Sequence, residues 1–133
     1  WGPSDLGNKI ENIFYSTYTA IIDGINKGRK GLGSIYVFGS GNGGDLDHCN
    51  YDGYANSPYT ITIAAINARE RKFRFSEPCP CILASTYSGG ESGRIYTTDV
   101  GSTACTSIHT GISAAIPIAS AIIALVLSVN PNL

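Results

Sequence analysis

"HTGISAAIPIASAIIALVL", residues 109–127, is the most apolar stretch of the chain, and its reading decides the fold. Three readings compete: a membrane anchor, a plain core helix, or a core helix with a reactive serine at its tip. A spanning helix needs roughly 20 apolar residues. The run from Ala114 to Val129 is shorter, Pro117 and Ser120 interrupt it, and no basic flank follows. Ala114, Ala115, Ala119 and Ala121 suit close packing. A helix apolar on all sides is therefore predicted to be buried. Its start, "HTGIS", puts Gly111 and Ser113 where loop becomes helix. Pro117 falls about one turn in, where its missing N–H costs least. A side chain there feels the positive end of the helix dipole, and free N–H groups can hold a developing anion. Both features suit a nucleophilic serine. Helix geometry alone equally makes Ser113 an N-cap, and G-x-S-A-A is not the G-x-S-x-G elbow of the α/β-hydrolases.

Working outward, the opening "WGPSDLG" is a turn-rich loop. From Asn12 the pattern turns helical, with Phe14, Tyr18, Ile21, Ile22 and Ile25 on one stripe. "NKGRKGLG" stops that helix with glycines. "SIYVFGSG" reads as a short buried strand running into the loop "GNGGDLDHCNYDGY". "YTITIAAI", "CILASTYS" and "RIYTT" are further strands, and the last helix begins near Gly111. This order predicts an α/β layer fold, in which ligands bind at the carboxyl ends of the strands. The loop after "SIYVFGSG" lies at such an end.

Composition narrows the function. The chain of 133 residues is 43% hydrophobic and 14% charged, which supports a buried core. The net charge of −1, without a long basic run, argues against a nucleic-acid partner. The chain opens on Trp1 without a signal-peptide pattern and closes at "NPNL", so we expect a piece of a longer protein. Cys49, Cys79, Cys81 and Cys105 match zinc spacings poorly and suit a disulfide in an oxidising compartment. Counting does not say which cysteines pair.

The motifs "WGPSDLG", "GSIYVFGSGNGG", "CNYDGYANSPYTITIAAI", "FSEPC", "TTDV" and "HTGISAAIP" occur in that order. Together they resemble the C-terminal half of a kexin/furin-type proprotein convertase catalytic domain, within the subtilisin-like serine protease superfamily. The resemblance covers nearly the whole chain. It implies a subtilisin-like three-layer α/β fold with a mostly parallel sheet, of which residues 1–133 form part of one domain. It implies a calcium-dependent serine endopeptidase that cleaves precursor proteins after basic or paired basic residues. The implied location is the secretory pathway, a Golgi-like lumen or the cell surface, with any membrane anchor outside this segment.

The resemblance also assigns residues. Ser113 matches the nucleophile and Asn42 the oxyanion-hole asparagine. Asp5 and Asp52 match carboxylates of the pocket for a P1 arginine, a cation best held by paired carboxylates. Glu11 and Tyr54 match an outer region that selects a basic P4 side chain. Asp5, Asp47 and Glu77 match a calcium site beneath the pocket, and hard oxygen ligands suit that ion. Cys49 and Cys79 match a family disulfide, Cys105 matches a cysteine with an upstream partner, and Cys81 is extra. The catalytic Asp and His are implied in an upstream half of the domain, with a propeptide and a downstream β-rich domain as further partners. His109 is then structural, and this chain alone is expected to be inactive.

The chain also departs from the pattern. Ile112 stands for a threonine, Ile116 for a small alanine, Ala121 for a glycine, Leu6 for an aspartate and Pro58 for an isoleucine. Added bulk on a core helix costs roughly 1–3 kcal/mol unless neighbours adjust. These changes motivate an alternative: a diverged, catalytically weak relative that binds basic peptides at a surface.

Overall fold

A computed structural model describes residues 2–133; Trp1, the first residue of the "WGPSDLG" motif, lies outside the described residues. The elements in chain order are helix α1 (Tyr15–Gly31), strand β1 (Tyr36–Gly39), a short 3-10 helix (Cys49–Tyr51), β2 (Thr60–Ile66), β3 (Ile82–Tyr87), β4 (Ile95–Thr98), β5 (Cys105–His109) and α2 (Ile112–Val129). Strands β1, β2 and β3 form one parallel sheet in that order, with Phe38 opposite Thr62. Strands β4 and β5 form a separate antiparallel pair. Helix α2 packs across all three parallel strands. The α/β class and the parallel sheet are as expected.

Strand β2 is central, and its sequence suits that place. Thr62, Ile63, Ala64 and Ala65 are all buried, as in a parallel strand covered on both faces. The buried hydroxyl of Thr62 donates to the Ala55 carbonyl, which removes the cost of an unpaired polar group. Helix α1 keeps regular geometry only up to Gly28, which is itself extended with ψ of 154°, and Arg29 and Lys30 then take positive φ values of 50° and 60°. The N–H of Gly33 donates to the Gly28 carbonyl at 3.0 Å, closing the turn. Of the predicted stripe on α1, Ile21 is buried while Phe14 and Tyr18 stay exposed.

Three expectations are corrected. Strand β5 was not foreseen. "CTSIH" is short and follows the turn-like "DVGSTA", so it shows its strand character only when paired with β4. Helix α2 is buried over its first half alone. Ile112, Ala114, Ala115 and Ala119 are buried, whereas Ile122, Leu125, Val126 and Val129 are exposed. Among the described residues, α2 is long and apolar enough to cross a membrane, with a mean hydropathy of 2.4. Yet its first half is committed to the sheet, in a core with Ala65 and Phe73, with Phe75 and Ile116 packed against it. Pro117 lies in the second turn of α2, past the first-turn positions where a missing N–H costs least. It therefore leaves the Ser113 carbonyl without its usual partner four residues on.

The bulk at Ile112 and Ile116 has an adjustment built in. Position 39 is glycine, and a Cβ there would land on Ile112 Cγ2 and Ile116 Cδ1. The two isoleucines fill that space, which offsets the expected overpacking.

Candidate active site

The site is built where β1 ends and α2 begins. Beyond β1, "SGNGG" turns sharply. Gly41 and Gly44 take φ values of 102° and 61°, a region that favours glycine. A Cβ on Gly41 would also collide with the Glu77 carboxylate. The loop backbone is thus pressed against carboxylates that hold it. The N–H of Asn42 donates to Asp5 Oδ1 at 2.8 Å, and that of Gly43 to Glu77 Oε1 at 2.9 Å. The Asn42 side chain is fixed from the other side: its Oδ1 accepts from the Ile112 N–H at 2.9 Å. With the oxygen engaged, the amide nitrogen is the group left to meet a ligand.

The start of α2 places Ser113 relative to the helix cap. Gly111 is the N-cap, with φ of 84° and no side-chain capping bond. Ser113 is therefore not the cap that helix geometry alone allowed. It sits exposed in the first turn, where backbone N–H groups have no intrahelical acceptor. Three hydroxyls outside α2 hold this region. Ser88 Oγ donates to the Gly111 carbonyl at 2.8 Å, Thr86 Oγ1 to the Ala115 carbonyl at 2.7 Å, and Thr110 Oγ1 to the Gly89 carbonyl at 2.6 Å. Sequence reasoning missed these residues, and for Thr86 and Ser88 the hydroxyl-rich run "ASTYS" was the available signal.

Asn42 and Ser113 open on one cavity of about 330 Å³, which Asp5, Asp52, Phe38 and Ile116 also line. Four of the residues singled out for catalysis and P1 binding thus share one space. Tyr54 is buried and stacks on Phe38, with ring centroids 5.2 Å apart, so it backs the cavity wall. Glu11 pairs through its backbone with Asp52. Its side chain is engaged locally: Oε1 meets Lys9 Nζ at 2.8 Å, and Oε2 accepts from the Ser4 N–H at 2.8 Å. Lys9 and the Ser4 N–H hold its pKa below the usual value.

Beneath the cavity, Asp47, Asp52 and Glu77 place carboxylate oxygens within 4.8 Å of one another, all three residues being buried. Asp52 belongs to this tight set, and Asp5, expected in a metal site with Asp47 and Glu77, lies beside it with its Oδ1 accepting from the Asn42 N–H. Burial is the main cause that pushes Glu77 up to about 7, with Asp47, Asp52 and Asp5 adding to it and the Gly43 N–H opposing. Burial likewise raises Asp52 to about 6, followed by repulsion from Asp47, Asp5 and Glu11. Asp47 Oδ1 accepts from the His48 N–H at 2.7 Å. Asp47 Oδ2 and Glu77 Oε2 are buried without a hydrogen-bond partner. Orphaned, mutually repelling hard oxygens are what a calcium-sized cation would satisfy, so the donor set fits that ion.

The disulfide joins Cys49 to Cys79, and Cys81 and Cys105 are free. The bridge ties the loop that carries Asp47 and Asp52 to the segment that carries Glu77. Neither histidine is placed as a base. His48 accepts through Nδ1 from the Asn50 N–H at 3.4 Å, and His109 lies in the β4–β5 ladder opposite Ile95.

The subtilase family profile matches residues 1–133. The chain is 46% identical over 134 residues to kexin of Candida albicans and 47% identical over 134 residues to the dibasic-processing endoprotease of Schizosaccharomyces pombe. It is 47% identical over 139 residues to proprotein convertase subtilisin/kexin type 7 of Mus musculus. All of this chain is covered in each match, but only 14%, 19% and 18% of those proteins. Among solved structures, the serine protease of Aeromonas sobria superposes with a TM-score of 0.82 at 18% identity, over all of this chain and 30% of that one. That likeness is one of fold.

Proposed function

Because the chain belongs to the subtilase family, we infer that it is the nucleophile-bearing, C-terminal part of a kexin-like serine endopeptidase domain that processes precursor proteins after basic residues. One observation carries this reading. The Ile112 N–H holds Asn42 by its Oδ1, and Asn42 lines an acid-lined cavity that Ser113 shares. The relatives named kexin and dibasic-processing endoprotease support the same reading.

In this reading Ser113 Oγ attacks the scissile carbonyl, and the developing oxyanion is held by Asn42 Nδ2 and the Ser113 N–H. The general base and its orienting acid come from an upstream half of the domain, since this chain offers no histidine at the site. Asp5 and Asp52 receive the P1 cation in the cavity, and Glu11 reaches a basic side chain further out by exchanging Lys9 for it. Asp47, Asp52 and Glu77, with Asp5 beside them, would hold calcium. When bound, it neutralises the buried carboxylates and braces the loops they sit on. The exposed apolar residues of the second half of α2 suit cover by the rest of the domain. A disulfide suits the oxidising secretory pathway.

The test is labelling of the full-length protein, purified with calcium, by a fluorophosphonate probe, with Ser113→Ala as control. Label mapped to Ser113 is expected. A folded, processed protein that binds basic peptides yet takes no label would overturn the enzyme reading and leave a peptide-binding relative.

A further inference from the structure

Cys81 does not stand alone. Its Sγ lies 2.9 Å from Cys49 Sγ and 3.2 Å from Cys79 Sγ, so a free thiol touches both sulfurs of the bridge. The three sulfurs also satisfy the spacing of a thiolate metal site. With Cys49 and Cys79 joined, however, two of the three thiolates are consumed, and a soft metal is left with one. The chemistry open to a thiol against a disulfide is exchange.

We propose that Cys49 has two disulfide partners, and that the bridge migrates between Cys79 and Cys81 within the folded protein. The Cys81 thiolate attacks Cys49 Sγ. The Cys49–Cys79 bond breaks, the Cys49–Cys81 bond forms, and Cys79 leaves as a thiolate that takes up the proton Cys81 gave away. One disulfide and one thiol stand on each side, so no oxidant or reductant is needed. Attack on Cys79 instead would close a small ring across the single residue Pro80, whose φ is fixed. Cys49 is therefore the shared partner, and it is also the nearer sulfur.

The two bridges tether different things. Cys49 opens the 3-10 helix that leads to Asp52. Cys79 follows Glu77 by two residues, whereas Cys81 immediately precedes β3. Migration moves the anchor of the Asp47–Asp52 loop from the Glu77 segment to the threshold of the central sheet. Cys79 and Cys81 are each half-buried and Cys49 is fully buried. The exchange is thus an internal event at a site that external thiols reach poorly.

The inference is independent of any enzymatic activity. It is tested on the full-length protein by alkylation under acid quench, followed by non-reducing peptide mapping. In Cys79→Ser, Cys49 and Cys81 are expected to be joined, with at least about a tenfold excess of bridged over doubly alkylated molecules. In the wild-type protein, incubation at mildly alkaline pH without added thiol is expected to give two populations. One is alkylated at Cys81 and the other at Cys79. Free, alkylated Cys49 and Cys81 in a folded Cys79→Ser protein would overturn the proposal. Should that variant not fold, label confined to Cys81 in the wild-type protein overturns it equally.

Discussion

The two ends of α2 are made of the same kinds of residue and are specified in opposite ways. At the first end, every position answers to a particular atom: Ile112 N–H to Asn42, Gly111 and Ala115 carbonyls to Ser88 and Thr86, Ile112 and Ile116 side chains to the space over Gly39. At the last end, Leu125 and Val129 meet no such demand, being 68% and 87% exposed. The contrast separates two uses of apolar sequence. One end must be right to within a methyl group because it aims a hydroxyl. The other only has to be apolar enough to be covered.

Substitutions can break or sharpen that contrast. The largest effect is expected at Ser113→Ala, which should abolish fluorophosphonate labelling of the full-length protein while leaving its melting temperature within a few degrees. Asn42→Ala should slow turnover about 10²–10³-fold with little change in KM, since its amide nitrogen serves the oxyanion while its oxygen only holds the Ile112 N–H; steady-state kinetics on a basic peptide decides it. Leu125→Ala in the full-length protein should cost about 2–4 kcal/mol by denaturant unfolding, because the proposed domain covers this face. A cost below about 0.5 kcal/mol would leave that end in solvent and make the contrast absolute. Gly39→Ala should cost roughly 1–3 kcal/mol, and adding Ile116→Ala should recover part of it.

The smallest effect concerns pH. Asp52 and Glu77 have folded-state pKa values of about 6 and about 7, above their ordinary 3.8 and 4.5. Between those limits the folded protein holds protons that the unfolded chain has released. Without metal, the contribution of these two groups to stability should therefore be fully present below the ordinary values and be lost as pH rises through about 7. Calcium competes with those protons, so the stabilisation it gives should grow over the same range. Melting curves with and without chelator, taken across that range, check both signs.

Much of this was legible in the sequence, and the misses have physical causes. The strands followed from apolar, β-branched runs such as Thr60–Ile63 and the loop at Asn42 from its glycines, while the parallel pairing came from the motif resemblance. The Cys49–Cys79 bridge came from motif resemblance, because no spacing rule selects it. Composition could not show that Asp52 stands as close to Asp47 and Glu77 as it does, because the three are brought together only by the fold. Burial of α2 was overestimated because periodicity reports how apolar a helix is, not how wide a sheet lies beneath it. Strand β5 was missed because Thr106 and Ile108 gain strand character from their partner more than from themselves.

The bonds that build the site are long in sequence: Asn42 reaches Ile112 across 70 residues, Asp5 reaches Asn42 across 37, and Glu77 reaches Gly43 across 34. Each closes a loop whose entropy is lost before its contact contributes, and parallel strands add crossovers of the same kind. Nothing local can assemble the cavity early. On the proposed reading, Ser113 gains its surroundings only once these long-range contacts have closed, so a chain still searching for its structure would carry no usable nucleophile.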